Sequence, residues 1–221
     1  MAKPQGRHIV KRIPKRGVYE RDVINAILDE GMICHVSFVV DGQPFMIPTI
    51  HARDGNNVLL HGLKGGRMLN HIEAGHDVCI AVTLLDGLVL ARSAFHHSMN
   101  YRSVVLYGKG TEITEPDAKM AAMKRFVDHL TPGRWDYLRP VSDKEIKATS
   151  IVSISMDDVG AKIRTGPVSD DEEDYELPIW AGVMPLSLTA ATVEDDSRLD
   201  SSVEQPEHVK NFDVANRQTR T

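Results

Sequence analysis

The sequence predicts a mainly β protein: a small closed antiparallel barrel with helices at its periphery. Three observations carry this. Asp-Gly occurs three times in fewer than fifty residues, at Asp41-Gly42, Asp54-Gly55 and Asp86-Gly87. Between alternating apolar runs, that dipeptide is the strongest short-range hairpin signal. From Cys34 the apolar period changes from helical to two, with Cys34, Val36, Phe38 and Val40 on one face. The long run Asn100–Ile113 is interrupted by Gly108 and Gly110, as at a barrel corner.

The chain has 221 residues, of which 42% are hydrophobic and 26% charged, with a net charge of −5. That is enough for one well-buried domain with extensions. The charge gives no general pull toward nucleic acid or an anionic membrane, and no apolar stretch approaches the ~20 residues of a membrane span. Residues 1–17 are basic and carry Pro4 and Pro14, which reads as a flexible arm. The two cysteines, Cys34 and Cys79, each sit in an apolar run. They read as buried thiols in a reducing compartment, so a cytoplasmic protein is expected.

In chain order, Glu20–Gly31 reads as a helix with Val23, Ile24, Ile27 and Leu28 as its apolar stripe and Gly31 as its stop. Strands follow at Cys34–Val40, Pro44–His51 and Val58–His61, with a short helix at Met68–Ala74. Val78–Leu84 and Leu88–Ala94 read as two strands joined by a turn at Asp86-Gly87. Pro116 opens a helix whose stripe is Met123, Phe126, Val127 and Leu130, and Pro132-Gly133 stops it. Ile146–Met156 reads as a last strand, rich in β-branched residues. Residues 160–186 read as a strap or lid, because Leu177, Ile179 and Trp180 form an apolar cluster foreign to disordered chain. Residues 187–221 read as a polar, disordered tail.

The chemistry centres on His61–Ile72. A strand ends at His61, and a helix follows a turn holding Gly62, Lys64, Gly65, Gly66 and Arg67. Free N–H groups at a helix start, glycines that admit an anion closely, and two cations make a phosphate cradle. It is not a Walker loop, since no Gly-Lys-Ser/Thr has the required spacing. His61, beside the glycines, is placed as a donor to a ligand. Lys162 and Arg164, two apart on an extended chain, point to one face and suit a phosphate. His71/His76 spacing is poor for a metal, and no Cys pair or HExxH occurs, so no metal site is expected. No G-x-S-x-G elbow is present, and no catalytic residue is assigned. A phosphate cradle on a barrel without catalytic side chains suits a cofactor with its own reactivity.

LLHGLKGGRMLNHI, SMNYRSVVLYGKGTEI with its Pro-led helix, GLVLARSAFHHSMNYRSV and AKIRTGP…LPIWAGVMPL together resemble the FMN-binding split-barrel proteins of the pyridoxamine 5′-phosphate oxidase-like superfamily. The similarity is greatest to the flavin-nucleotide-binding branch that includes nitroimidazole resistance proteins. The resemblance implies a six-stranded antiparallel Greek-key split β-barrel over residues 18–159, forming a homodimer with FMN at the subunit interface. By the same resemblance, Gly65, Gly66 and Arg67 lie where the oxidases carry a Ser-Arg-Lys phosphate clamp, with Lys64 nearby. Ile47, Pro48 and Thr49 lie along the isoalloxazine edge, Ser103 takes a flavin-contacting position, and His61 matches a histidine of the resistance proteins. The oxidases' substrate-binding Trp and Arg find no aligned counterpart, and Trp180 matches in position only. The implied function is FMN binding, with oxidoreductase activity on a small molecule and NAD(P)H as a possible donor. The alternatives are a non-catalytic flavin-storage or stress-regulatory module, or a barrel using deazaflavin or haem.

Overall fold

The computed structural model describes residues 6–214; parts of the basic arm and of the polar tail lie outside them. The fold is mainly β, with ten strands rather than six. The strands are β1 (Gly17–Val18), β2 (Ile33–Val40), β3 (Gln43–Asp54), β4 (Asn57–Leu63), β5 (Val78–Leu90), β6 (Ser98–Gly108), β7 (Gly110–Glu112), β8 (Thr149–Ser155), β9 (Asp158–Arg164) and β10 (Gly182–Pro185). The helices are α1 (Arg21–Glu30), α2 (Arg67–Glu73), α3 (Pro116–Leu130), α4 (Asp143–Ala148) and α5 (Glu207–Lys210). Hydrogen-bonded neighbours run β1-β9-β6-β5-β2-β3-β4-β8-β7, every pairing is antiparallel, and β10 joins the edge of β5.

Two long runs stitch the sheet into a barrel. β3 pairs with β2 through Gln43–Ile50 and with β4 through His51–Asp54. Its β4-side edge is therefore unpaired over the first of these stretches, and the barrel splits there. Pro44 and Pro48 lie in that stretch, where a missing N–H costs least. β6 and β7 are one run broken at Lys109: β6 lies between β5 and β9, while β7 pairs with β8. The glycines on either side of the break are forced by contact. A Cβ at Gly110 would collide with Ile72, and one at Gly108 would sit 3.1 Å from Ile154.

The hairpin at Asp41-Gly42 has φ of 50° and 74°, the left-handed pair that a type I′ turn demands. Asp86-Gly87 forms no hairpin. β5 runs straight through it with a register shift against β6 between Leu85 and Gly87, a bulge. Ile146–Met156 divides into the end of α4 and β8, because Ser142 and Glu145 form a capping box that starts a helix at Asp143. β9 passes through the 159/160 division and continues to Arg164.

The barrel core holds Val36, Leu60, Ile80, Leu106, Val152 and Ile154, with Ile24, Ile27 and Leu28 of α1 closing one end. α2 adds Met68, Leu69 and Ile72. A second cluster lies outside the barrel, where Ala122 and Phe126 of α3 cover Ala52, Leu59 and Ile151. The buried stripe of α3 is shifted from the expected one, to Ala122, Phe126 and His129. His129 is tolerated there because its Nε2 is 2.7 Å from Gly31 O, a carbonyl beside the end of α1.

Candidate functional site

The mouth of the split is formed by the end of β4, the turn after it, the start of α2 and the free edge of β3. Gly65 has φ of +87° and open space where a Cβ would be. The turn is tied down by Lys64 N donating to Ala148 O (2.9 Å), Gly66 N to Leu63 O (3.0 Å) and Asn70 Nδ2 to Gly65 O (3.1 Å). Gly66 caps α2 without a side chain, and the first helical bond is Asn70 N to Gly66 O. The N–H groups of Arg67, Met68 and Leu69 thus have no acceptor within the helix. The Arg67 guanidinium lies 4.5 Å from the ring centroid of Phe45 on β3, so it reaches across the split. Lys64, Gly65, Gly66 and Arg67 are all exposed, as is Pro48, while Ile47 and Thr49 are half-buried on β3.

His61 ends the same strand on the α3 side. Its ring lies 4.3 Å from that of Phe126, and its Nδ1 is buried without a hydrogen-bond partner among the described residues. Burial pushes its pKa below the ordinary histidine value. Beside it is a cavity of about 430 Å³ lined by Met123, Phe126, Trp135, Leu138 and Val141. At its rim Arg139 holds Glu145 in a two-pronged ion pair (2.5 and 3.0 Å).

Phe45, which carries the Arg67 guanidinium, also lines a cleft of about 640 Å³ whose walls include Arg7, Phe38, His71, His76 and Tyr107. Among the described residues, no group of three or more His, Cys, Asp or Glu side chains is placed to hold a metal ion by itself.

The remaining sequence-derived site residues lie elsewhere on the barrel. Ser103 on β6 pairs with Lys162 on β9, and its Oγ donates to Lys162 O (3.2 Å). β6 is three strands from β3, or roughly 14 Å along the sheet at ~4.8 Å per strand. Lys162 and Arg164 do share a face of β9, but Arg164 is only 9% exposed. It bonds Asn100 Oδ1 and Pro167 O, and burial lowers its pKa. Trp180 is 72% exposed, next to β10. Within one chain, Ile47, Pro48, Thr49, His61, Lys64, Gly65, Gly66 and Arg67 therefore gather at the split, and Ser103, Lys162, Arg164 and Trp180 do not join them.

Sequence reasoning missed Phe45 and Trp135. Phe45 was visible as the alternate of Ile47 on β3; nothing in the local sequence brings Trp135 to His61.

A model of the pyridoxamine 5′-phosphate oxidase family matches residues 20–163. The chain belongs to this family of FMN-binding split barrels. It is similar to the flavocytochrome Anf3 from Azotobacter vinelandii, at 42% identity and a TM-score of 0.89, over 95% of this chain and 99% of that one. It is also similar to an FAD and heme binding protein from Mycobacterium smegmatis, at 30% identity and a TM-score of 0.86, over 90% and 97% of the two chains. A protein described as a 5-nitroimidazole antibiotic resistance protein, from Bacteroides thetaiotaomicron, shares the fold at 18% identity and a TM-score of 0.57, over 77% and 90%. No curated protein matches the chain significantly.

Proposed function

We propose that this protein is a flavin- and haem-binding redox protein. The observation that carries the reading is near full-length likeness to two proteins that are named for both groups. The residues at the split suit the flavin. Arg67 and Lys64 supply charge for a phosphate, unpaired N–H groups at the start of α2 add donors, and the free edge of β3 at Ile47–Thr49 offers a rim for a flat ring system. These residues meet the FMN moiety, which FMN and FAD share.

The cavity beside His61 suits the haem. A neutral imidazole with an unbonded Nδ1 is the form that ligates iron. Met123, Phe126, Trp135, Leu138 and Val141 give apolar walls, and at the rim a propionate would compete with Glu145 for the Arg139 guanidinium. A bound flavin takes two electrons at a time and a haem one, so the pair would join a two-electron donor such as NAD(P)H to a one-electron acceptor. The chain's own part is to seat both groups and exclude water between them.

The working unit in this reading is a homodimer. The outer face of the sheet carries apolar surface: Pro48, His35, Ala81 and Val105 are neighbours in one row across four strands. Ile33 and Val39 on the same face are each 56% exposed and Met46 64%. A second copy would cover that apolar surface and bring its Ser103, Lys162 and Arg164 toward the first copy's split.

The test is the absorption spectrum of the purified protein, with the released cofactors identified by mass. Flavin bands and a Soret band together are expected. A colourless protein that takes up neither group on reconstitution overturns the reading.

A further inference from the structure

The basic N-terminal arm, expected to be flexible, is held down from Gly6 onward. His8 Nδ1 and Arg7 Nε (3.2 Å) both pair with the Asp158 carboxylate at the start of β9. Arg7 Nη2 also reaches Asp77 Oδ1 (3.2 Å), one residue before β5. Its guanidinium lies 4.8 Å from the ring centroid of Tyr107. Arg7 thus spans the outer face where Cys79, Tyr107 and Asp158 are neighbours in one row. Further along, Val10 N donates to the Tyr19 hydroxyl (3.0 Å), and the His8 and Tyr19 rings meet edge to face. β9 makes room for this crossing, since a Cβ at Gly160 would lie 2.7 Å from His8 O. Through Arg7 the docked arm walls the cleft of about 640 Å³, whose lining also includes Cys79.

We propose that residues 6–16 are a latch whose release opens this cleft and uncovers the Cys79 thiol. The latch needs neither flavin nor haem to be bound. Burial alone would raise the Asp158 carboxyl, yet the bonds from His8 and Arg7 hold it below the ordinary value, so the closed form is favoured. It is also built to let go. None of residues 6–16 is buried. The Arg7 and Asp77 side chains are 53% and 52% exposed, where an ion pair is weak and screened by salt. Polar contacts with little buried apolar surface mark a segment that opens locally before the core does. The arm acts on the thiol in two opposed ways. Its cover hinders attack, whereas the Arg7 charge favours the thiolate against the burial that raises the Cys79 pKa.

Cys79 is the reporter, because Cys34, the chain's other cysteine, is fully buried. The full-length protein is treated with an aromatic disulfide that releases a coloured thiolate, and Cys79→Ser, which should lose the reaction, assigns the signal. Gly160→Ala displaces the arm without removing a charge, and Arg7→Gln loosens it at an exposed position. Both should react at least about fivefold faster than the parent, the worth of one or two surface ion pairs. Salt at about 1 M should speed the parent but not Gly160→Ala. Rates equal to the parent's in both variants overturn the latch. So does a slower reaction in Arg7→Gln, because Arg7 would then act on the thiol by its charge alone. Far-ultraviolet circular dichroism checks that each variant is folded, and Arg7→Gln carries the test if Gly160→Ala is not.

Discussion

The Arg67 guanidinium lies 4.5 Å from the centroid of the Phe45 ring, and this contact spans the opening between two strands that share no hydrogen bonds there. A cation held over an aromatic face is kept from folding back into solvent, so its charge is fixed before any phosphate arrives. Arg67→Ala should lower flavin affinity roughly ten- to a hundredfold, the worth of a charge-assisted contact of ~1.5–3 kcal/mol. Because Arg67 is exposed, its melting temperature should stay near that of the parent. Fluorescence titration with FMN checks this; an unchanged Kd removes Arg67 from the cradle.

His61→Ala should abolish or shift the Soret band, and added imidazole should restore it by filling the vacated space. If the haem spectrum of that variant matches the parent, the iron is ligated elsewhere.

The same histidine sets a pH dependence. Burial lowers its pKa in the fold below the ordinary 6.5, so between those two values the unfolded chain binds the proton that the folded chain refuses. Stability is full above 6.5, falls as the pH drops toward the folded pKa, and is lowest below it. Urea midpoints taken from pH 7 down to pH 5 should fall more for the apo parent than for His61→Gln. Parallel curves would show that His61 titrates normally.

Arg102 on β6 bonds Glu30 of α1 and Asp86 of β5 at once, which pushes its pKa up. Replacing it with Met leaves two carboxylates facing a lost partner. At a site that is partly open to solvent, the expected loss is about 2 kcal/mol. Denaturant unfolding measures it, and a loss under ~0.5 kcal/mol would make the triad ornamental.

The strap beyond β9 is held by β10 on β5, and a Cβ at Gly87 would sit 2.9 Å from Met184 O. Gly87→Ala should release residues 167–186 to protease while the barrel stays folded. If this strap closes the flavin site, as its apolar cluster suggests, flavin release should quicken in Gly87→Ala and in a chain ending after Arg164. A chain ending after Leu186 should keep the parent rate. Equal rates in all three reduce the strap to packing.

Much of this was legible in the residues. Helix α1 and the strand periods of β2 and β4 are local patterns, and a local pattern survives into the fold. The glycine turn before Arg67 was readable for the same reason. Asp86-Gly87 misled because the pair fits a bulge as well as a turn; only the β6 register, set by residues a dozen or more positions away, decides which. β9 was missed because Gly160 and Lys162 dilute its apolar alternation, and its burial comes from β6 and β1. The cavity at His61 depends on Trp135, brought there by the end of α3 and a 3-10 turn, and no pattern of neighbours announces such a meeting.

The pairing order has a consequence for how the chain is made. β4 finds its partner β8 only through pairs such as Asn57 with Ser155 and His61 with Ile151, and Gly17 waits for Lys162. At ~5–20 residues per second, roughly 5 to 30 s of synthesis separate a bare strand edge from its cover. Pairing this distant also slows folding after release, to the millisecond-to-second range. During that interval the hairpin of β3 and β4 presents the open edge of β4 to every other nascent copy nearby, so the yield of soluble protein should depend on growth temperature and on chaperones more than on the stability of the finished barrel.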